Sequence, residues 1–393
     1  MRIAYITPYQ GPTLIKRRPI VGNRSMSNRI KIELVAQLLH ANGHEVELFS
    51  HGEVDAPQLR FYPGFEEPQR FHPAIPVHYL SALPIRRLYG PWVRQRLLAL
   101  LDRRHRASPF DLIVIFNFKP PQLAAARYAA RRHLPLILEY EDDTFRTVTG
   151  EVETGWRARH HHRAYRRVLG SIAGCVAVSP HLLSQVPAGV PTLLLRGAVG
   201  EDVVVAAERL RGSKKDIVLF SGTHTKWNGV EELITAWRTL ALPDWELHIT
   251  GYGELTESLR RMAQGHPGIV FHGLVSRADL VDLMASAKIC VSPQRVSQAQ
   301  GNQFAFKVIE YLAAGAHVVM TPMGSLERDI EAGVTYMADS QPETIASTLR
   351  RVIEERRYAS NADSVVQRRY GSEAVSEALE RLLDDVASRS IRR

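Results

Sequence analysis

The sequence predicts an α/β protein built from two Rossmann-like β/α/β domains. The chain has 393 residues, too many for one ordinary hydrophobic core, and apolar residues make up 45 % of it. In the second half, short apolar runs alternate with helical patterns, as in a parallel sheet with crossover helices. The run 174–180 echoes the run 288–293, which indicates related β/α units in the two halves. We place the domains at 1–200 and 201–370, followed by a terminal helix at 371–393.

The first half is expected to begin with a strand over 3–7, a helix with apolar positions over 30–39 and a second strand over 46–49. Between the first strand and the helix we predict a loop from 8 to about 26, and we expect 51–85 to be irregular because it is rich in proline. A loop of this length is uncommon and often functional. A surface excursion without a role is the alternative.

Two strands in the middle of this half are predicted to end in polar residues. One spans 111–116 and is followed by Asn117, and the other begins at Leu136 and runs into four carboxylates within five residues. Residues just past the ends of parallel strands line ligand sites, and clustered carboxylates are costly unless they meet water, cations or a ligand. We therefore expect Asp142 or Asp143 to contact a substrate; a helix N-cap is the alternative.

Charge is distributed unevenly along the chain. Residues 1–200 hold 27 Lys and Arg against 15 Asp and Glu, whereas residues 201–393 hold 23 against 26. The basic half, with helical patterns over 86–106 and 156–169, is a candidate to face an anionic membrane surface or a charged acceptor. A packed helix with a solvated basic face explains the same pattern. No nucleic-acid-binding motif accompanies the charge, so nucleic acid is not an expected partner.

The expected compartment is the cytoplasm. No apolar run reaches ~18 residues, so no membrane-spanning helix is predicted, and the first residues form a strand pattern rather than a signal peptide. Cys175 and Cys290 lie in apolar runs, as buried thiols of a reducing compartment do. The three consecutive histidines from His160 to His162 point in different directions on a helix, so they make a poor metal site.

Glycines follow three successive predicted strands of the second half. Gly222, Gly251 and Gly273 each come directly after a strand, and Gly253 lies two residues further along. Small residues at these points let a ligand approach the backbone closely, which favours a nucleotide site. Turn chemistry alone is the alternative explanation.

Residues 291–321 are predicted to form a strand, a loop, a helix and a strand. Lys307 and Glu310 fall in the early turns of that helix, which starts at the carboxyl edge of the sheet. The start of a helix carries unpaired N–H groups and partial positive charge, so it favours a phosphate. Lys307 adds a full positive charge, and Glu310, one turn later, could accept hydrogen bonds from a ribose. We therefore predict a sugar-nucleotide site here.

The second half resembles the retaining glycosyltransferases of family 4 in the order and spacing of five blocks, residues 218–222, 228–230, 247–253, 270–275 and 304–315. The first half is similar in a looser way, through a glycine-containing loop after the first strand. The resemblance implies the GT-B fold, in which two Rossmann-like domains face each other across a cleft. The acceptor would bind to the first domain and the nucleotide sugar to the second. The terminal helix is a candidate to pack back on the first domain.

The residue patterns and the resemblance together assign the candidate site residues. Catalytic roles fall on Lys307, Glu310 and Asp142. The candidate donor-binding residues are Gly222, Thr223, Lys226, Asn228, Gly251, Gly253, Gly273, Leu274, Val275, Asn302, Gln303 and Phe304. The candidate acceptor-binding residues are Gly22, Asn23, Arg24 and Asp143.

Several positions depart from the family pattern. Asn302 stands where the family has a glutamate that contacts the donor sugar, and Thr223 and Asn228 stand where it has the Arg and Lys that hold the diphosphate. Lys226 lies in the same loop and is the candidate substitute. The family's active-site histidine after the fourth strand has no match near Asn117. An altered donor, a weak enzyme and a non-catalytic homologue are all compatible with these departures.

The activity implied by the resemblance is transfer of a sugar from a nucleoside diphosphate sugar to an acceptor hydroxyl, with retention of anomeric configuration. No cofactor or metal is expected. The expected acceptor is a glycan or lipid-linked precursor in the assembly of cell-surface polysaccharide, lipopolysaccharide or glycolipid. The protein would then work in the cytoplasm, with the inner face of the membrane as a candidate location. The alternatives are a non-catalytic nucleotide-sugar-binding homologue and a sugar-nucleotide epimerase of the same fold.

Overall fold

The chain forms two compact units in the computed structural model. The structure describes residues 1–18, 26–52, 54, 60–85, 88–143, 145, 155–295, 306–322, 330–358 and 362–391. Unit 1 holds the described residues up to Leu195 and those from Val375 onward, and unit 2 holds those from Arg196 to Ala374. The sequence predicted a boundary at residue 200. The structure divides the two units slightly before it, between Leu195 and Arg196.

Unit 1 contains an eight-stranded, mostly parallel sheet whose strands are buried except for the two at its edges. Its strands are β1 (Arg2–Thr7), β2 (Glu45–Ser50), β3 (Phe65–Glu66), β4 (Val77–Tyr79), β5 (Leu112–Phe116), β6 (Leu136–Tyr140), β7 (Gly174–Ala177) and β8 (Thr192–Leu194). The spatial order is β3-β4-β2-β1-β5-β6-β7-β8, and the β3–β4 pair is antiparallel. The order reverses direction between β1 and β5, where ligands of such sheets bind.

The connections of unit 1 are mainly helical. Its helices are α1 (Pro12–Arg17), α2 (Met26–Ala41), α3 (Tyr89–Ala107), α4 (Pro120–Arg132), α5 (Trp156–Leu169) and α6 (Pro180–Leu183). The expected loop over 8–26 is wrong in part, because Pro12 begins α1 at the position that proline favours, and Leu14 is buried. The expected irregular stretch over 51–85 is also wrong in part, because β4 pairs with β2 and extends the sheet.

Unit 2 contains a six-stranded parallel sheet. Its strands are β9 (Lys215–Ser221), β10 (Glu246–Thr250), β11 (Ile269–Gly273), β12 (Ala287–Ser292), β13 (His317–Met320) and β14 (Val334–Tyr336). Its helices are α7 (Glu201–Leu210), α8 (Val230–Thr239), α9 (Thr256–Ala263), α10 (Arg277–Ser286), α11 (Phe306–Ala313), α12 (Pro342–Glu354) and α13 (Ala362–Tyr370). The prediction of an α/β protein with two parallel-sheet domains is confirmed.

The strand order of unit 2 is β11-β10-β9-β12-β13-β14, which is the doubly wound order with its switch point between β9 and β12. Apolar residues on the two faces of the sheet belong to two separate core clusters. One contains Leu219 and Leu312, and the other contains Phe220 and Trp237. Both faces are therefore covered, which explains why these strands read as continuous apolar runs.

The last helix, α14 (Ser372–Ile391), is assigned to unit 1 from Val375 onward. The Asn42 side chain donates to the Ser376 carbonyl at 3.2 Å, and His44 Nε2 lies 2.7 Å from Glu380 Oε1. Gly174 leaves room for Val386, since a β-carbon there would lie 2.8 Å from that side chain. Of the helices that the structure describes, none has the length and apolarity needed to cross a membrane.

Candidate active site

Lys307 lies in the first turn of α11, beside the carboxyl end of β9. Its ammonium donates to the Ser221 carbonyl at 3.3 Å and lies 4.6 Å from the centre of the Phe220 ring. Among the described residues, no carboxylate forms a salt bridge with it. Burial lowers the pKa of Lys307 to about 8. The side chain is half-buried, and no described residue supplies a counter-ion to this cation at an edge where parallel sheets bind ligands.

Tyr311 fixes α11 against β9. Its buried hydroxyl accepts a hydrogen bond from the Ser221 N–H at 2.9 Å and lies 2.8 Å from the Ser221 hydroxyl. Tyr311 is one helical turn beyond Lys307 on the same side of α11. The hydrogen bonds between Tyr311 and Ser221 therefore hold α11 at the switch point between β9 and β12. They position the Lys307 ammonium without a ligand.

Glu310 is buried and paired with Arg277, the first residue of α10. Arg277 Nη1 lies 2.6 Å from Glu310 Oε1, and Arg277 Nε donates to Asp202 at 2.8 Å. Burial raises the pKa of Glu310, and the guanidinium of Arg277 opposes that effect. One carboxylate oxygen of Glu310 is thus held by Arg277. Arg277 lies two residues beyond the predicted 273–275 segment, and the sequence did not predict its contact with Glu310.

The glycines after β9 and β10 are needed for backbone packing. A β-carbon at Gly251 would lie 1.9 Å from the Gly222 carbonyl oxygen, and one at Gly253 would lie 2.4 Å from the His224 carbonyl oxygen. No side chain fits at such distances. The Gly251 N–H also donates to the Gly273 carbonyl at 2.8 Å, so the ends of three neighbouring strands are tied together. A β-carbon at Gly222 would lie 3.5 Å from the Lys307 ammonium.

The loop after β9 holds the other predicted donor-binding residues. The Asn228 amide donates to the Thr223 carbonyl at 2.6 Å and accepts from Gln294 at 2.9 Å, so Asn228 closes the loop. Thr223 and Lys226 are exposed, and so is Leu274, at 75 %, beyond β11; Val275 beside it is half-buried. The predicted residues Gly22, Asn23, Arg24, Asn302, Gln303 and Phe304 lie outside the described residues.

The four clustered carboxylates of unit 1 occupy four different environments. Glu139 is buried, accepts a hydrogen bond from Tyr5, and has its pKa raised to about 8 by burial. Glu141 pairs with Lys31, which also donates to the Leu195 carbonyl at 2.9 Å. The remaining two are Asp142, which is exposed, and Asp143, whose side chain is 5 % exposed. Burial, and then the charge of Glu141, raise the pKa of Glu139, so separate partners reduce the cost of clustering but do not remove it.

Asn117 organises the turn that carries Asp142. Its amide nitrogen donates to the Asp142 carboxylate at 2.9 Å, and its amide oxygen accepts from the Glu141 N–H at 2.8 Å and the Asp142 N–H at 3.2 Å. Asn117 has φ of 58°, a left-handed conformation that few residues other than glycine and asparagine adopt. Such backbone conformations concentrate at functional sites. The sequence predicted Asn117 as the polar residue that follows the strand 111–116, and the family's histidine has no match near it; the role of Asn117 in this turn was not predicted.

Two protein-family models match the chain and together cover more than half of it. The model described as "Glycosyl transferase 4-like domain" matches residues 31–191, and the one described as "Glycosyl transferases group 1" matches residues 215–355. With the doubly wound sheets and the Lys307–Glu310 helix at the switch point, these matches define the class. The chain belongs to the family 4 glycosyltransferases with the GT-B fold.

A curated relative and two solved structures are similar to the chain. A GDP-mannose-dependent alpha-(1-6)-phosphatidylinositol dimannoside mannosyltransferase from Mycobacterium tuberculosis is 33 % identical over 111 residues, which is 28 % of this chain and 28 % of the relative. Sucrose-phosphate synthase from Thermosynechococcus elongatus has a TM-score of 0.70 at 16 % identity and covers 98 % of this chain and 99 % of its own. Anabaena HepE in complex with UDP has a TM-score of 0.65 at 14 % identity and covers 98 % and 100 %. The two structures support the fold.

Proposed function

We propose that this glycosyltransferase moves a sugar from a nucleoside diphosphate sugar to a hydroxyl of a glycan or lipid-linked acceptor, with retention of configuration. The observation that supports the proposal is the Lys307 ammonium, which is held at the switch point of unit 2 with no described carboxylate to neutralise it. A cation in that state binds a diphosphate without first breaking a salt bridge. The setting is the assembly of cell-surface polysaccharide, lipopolysaccharide or glycolipid.

The proposed chemistry breaks the bond between the sugar and the diphosphate and forms a bond from the sugar to the acceptor oxygen. Negative charge grows on the leaving phosphate, and Lys307 stabilises it. One such electrostatic contact contributes about 3 kcal/mol to the transition state. The leaving phosphate takes the acceptor's proton, and no metal is required. Glu310, held by Arg277, accepts hydrogen bonds from the ribose.

GDP-mannose is the first donor to test, and a mannosylated phosphatidylinositol is the first acceptor. Both come from the name of the Mycobacterium tuberculosis relative. The match to that relative covers 28 % of each chain. A panel containing UDP and GDP sugars is therefore the appropriate first screen.

The test has three steps. A thermal-shift screen against the nucleotide-sugar panel identifies the donor, because a ligand that binds only the folded state raises its apparent stability. Release of nucleotide is then measured with and without acceptor, in EDTA and in added magnesium. NMR of the product gives the anomeric configuration. An inverted product contradicts the retaining mechanism, and loss of activity in EDTA contradicts the metal-independent one.

The two alternative functions give different results in the same assays. A non-catalytic homologue binds a nucleotide and releases none from any donor. An epimerase converts the donor sugar when no acceptor is present. Transfer that depends on the acceptor contradicts both alternatives and supports the proposed activity.

We further propose that unit 1 works in the cytoplasm against an anionic membrane surface, through a basic surface formed by α3, α4 and α5. α3 packs on α4, and α4 packs on α5. The exposed cations of this basic surface are Arg94, Arg96, Arg103, Arg106, Arg127, Arg131, Arg132, Arg159, Arg163, Arg166 and Arg167. Asp102 is the acid within these three helices, and Trp156, 70 % exposed, is an apolar residue at the start of α5. Charge of one sign supports attraction to anionic headgroups.

Co-sedimentation with vesicles tests the basic surface. The protein is expected to bind phosphatidylglycerol vesicles at low salt and to be released at high salt, and to ignore phosphatidylcholine vesicles. Replacing Arg159, Arg163, Arg166 and Arg167 with Gln should weaken that binding without changing the thermal-shift response to the donor. Equal binding to neutral vesicles contradicts the proposal.

A further inference from the structure

Asp143 and His181 form a carboxylate–imidazole pair at the carboxyl edge of the unit 1 sheet. Asp143 follows β6, and His181 belongs to α6, which follows the neighbouring strand β7. His181 Nε2 lies 2.9 Å from Asp143 Oδ2, and the two side chains are 33 % and 5 % exposed. The carboxylate is thus covered, while the imidazole it holds reaches the surface.

Further hydrogen bonds fix the carboxylate of this pair. The Gln185 amide nitrogen donates to Asp143 Oδ2 at 3.2 Å, and Gln185 is itself held by the Tyr140 hydroxyl, which donates to its amide oxygen at 2.7 Å. The Phe145 N–H donates to Asp143 Oδ1 at 3.1 Å. A carboxylate oriented in this way sets the position and the tautomer of the imidazole it contacts.

The tautomer is assigned from the partners. The Asp143 carboxylate can only accept, and the Gln185 amide nitrogen, which lies 3.1 Å from His181 Nε2, donates to Asp143, so we assign the proton of His181 to Nε2 and the lone pair to Nδ1. Among the described residues, none hydrogen-bonds to Nδ1. An oriented ring nitrogen with a lone pair, on a side chain that is one-third exposed, is suited to accept a hydrogen bond from a ligand hydroxyl.

His181 belongs to a row of polar groups. Asn117 follows β5, Asp142 follows β6 and His181 follows β7, and these three strands are neighbours in the sheet. The buried Asn117 amide holds Asp142, so the row offers a ligand an exposed carboxylate and an imidazole lone pair. Both groups accept hydrogen bonds, so they match the hydroxyls of a sugar or another polyhydroxylated ring, which can donate, better than they match an anion.

We propose that His181, positioned by Asp143, binds a hydroxyl of the polyhydroxylated acceptor through Nδ1. This inference rests on the proposed function, because it assigns the acceptor side of that reaction. It also changes the role predicted for Asp143. His181 is the side chain that contacts the substrate, and the Asp143 carboxylate acts through the imidazole. Asp143 is therefore a positioning residue.

Two replacements of His181 separate binding from structure. His181→Gln places an amide donor where Nε2 lies, so it keeps the hydrogen bond to Asp143 and removes the lone pair of Nδ1. His181→Asn places an amide near Nδ1 and gives up the contact with Asp143. His266→Gln is the matched control, since His266 is also partly exposed and precedes β11 at the opposite edge of the other sheet.

The expected result is a rise in the acceptor KM of His181→Gln on the order of fivefold to tenfold, which corresponds to the loss of one hydrogen bond. The donor KM and the melting temperature should match the wild type, and His181→Asn should keep more acceptor affinity than His181→Gln. GDP-mannose and phosphatidylinositol dimannoside serve as the assay pair if the donor screen supports them. A purely structural His181 gives the reverse order, with His181→Gln silent and His181→Asn impaired, and that result overturns the proposal.

An NMR measurement tests the proposal independently of turnover. Spectra of protein with ¹⁵N-labelled histidine should show the Nε2–H tautomer for His181, assigned by its loss in His181→Gln. Methyl α-D-mannoside, used as a small polyol probe, should shift the Nδ1 resonance of His181 and leave that of His266 in place. An Nδ1–H tautomer, or no shift with the probe, overturns the assignment. Failure of all donors to transfer would instead contradict the proposed function, while the NMR result still stands.

Discussion

The carboxyl edges of the two sheets differ in charge although both sheets are doubly wound. At the edge of unit 2, the Lys307 ammonium lies beside Ser221 with no described carboxylate paired to it. At the edge of unit 1, four carboxylates follow one another, and each has its own partner. Both edges lie at or next to the point where the strand order reverses.

This difference shows how one fold provides two kinds of binding surface. An unneutralised cation with packed glycine turns around it favours a phosphate, because little polar surface must be displaced before the anion binds. An exposed carboxylate and an imidazole lone pair favour hydroxyls, which can donate to both. These chemical differences support our proposal that the donor binds unit 2 and the acceptor binds unit 1, and the proposal can be tested at either edge.

The largest expected effect is at Lys307. Replacing it with Ala removes the charge that faces the leaving phosphate, and the transfer rate should fall at least ~100-fold. Lys215→Ala is the matched control, because this exposed lysine lies at the opposite end of the same strand, β9. Nucleotide release measured with saturating acceptor checks the prediction. Undiminished turnover in Lys307→Ala would show that the cation has no role in the mechanism. The proposed contrast between the two edges would then be wrong.

A second prediction concerns the glycine turns of unit 2. Gly251→Ala should lower the free energy of unfolding by about 1–3 kcal/mol, because its β-carbon meets the Gly222 carbonyl oxygen at 1.9 Å. In Gly212→Ala no heavy atom lies within 4 Å of the new β-carbon, so this control should be as stable as the wild type. Thermal unfolding measures both. If the two variants were equally stable, packing would not require a glycine at position 251. Gly251 would then again be a candidate ligand contact.

The pH dependence of donor binding gives a third prediction. Burial lowers the pKa of Lys307 to about 8, so the free protein carries the ammonium below that pH and loses it above. A bound diphosphate favours the charged form, so binding above pH 8 requires proton uptake. The dissociation constant of the nucleoside diphosphate sugar, whose two esterified phosphates do not titrate in this range, should be flat below pH 8 and rise about tenfold per pH unit above it.

Lys307→Arg is the control for this profile, because a guanidinium stays charged throughout the range. Isothermal titration calorimetry in two buffers of different ionisation enthalpy measures the proton uptake directly. A wild-type profile as flat as that of Lys307→Arg would show that the titrating group is not Lys307.

Much of the fold could be predicted from the sequence, since strands buried on both faces are continuous apolar runs and their helices have clear periodicity. The position of Lys307 and Glu310 early in α11 followed from the same signals. The short elements α1 and β4 could not be predicted, because six and three residues are too few to show a period. Their existence depends on pairing with distant residues, as β4 pairs with β2.

The partners of the site residues were also beyond the sequence. Arg277 meets Glu310 because α10 packs beside α11, and His181 meets Asp143 because β6 and β7, the strands that precede them, are neighbours in the sheet. The sequence shows four carboxylates within five residues, but it does not show that each carboxylate has a different partner. The conformation of Asn117 has a local signal, since asparagine tolerates positive φ, but the signal is too common to identify one residue.

The smallest expected effect tests the unit 1 edge through Asn117. Asn117→Gly keeps a residue that adopts the left-handed backbone and removes the amide that holds Asp142 and Glu141. Losing these hydrogen bonds should raise the acceptor KM a few-fold, about 1 kcal/mol, and leave the donor KM unchanged.

His133→Gly is the matched control for this variant, because His133 is also left-handed, with φ of 56°, and ends α4 away from the carboxyl edge. Steady-state kinetics with each substrate varied in turn separates the two KM values. If Asn117→Gly raised the donor KM instead, the amide would belong to the nucleotide side, and the division of labour between a cationic edge and a hydroxyl-binding edge would be wrong. A rise confined to the acceptor KM would instead show that unit 1 binds hydroxyls through groups whose placement depends on one left-handed asparagine.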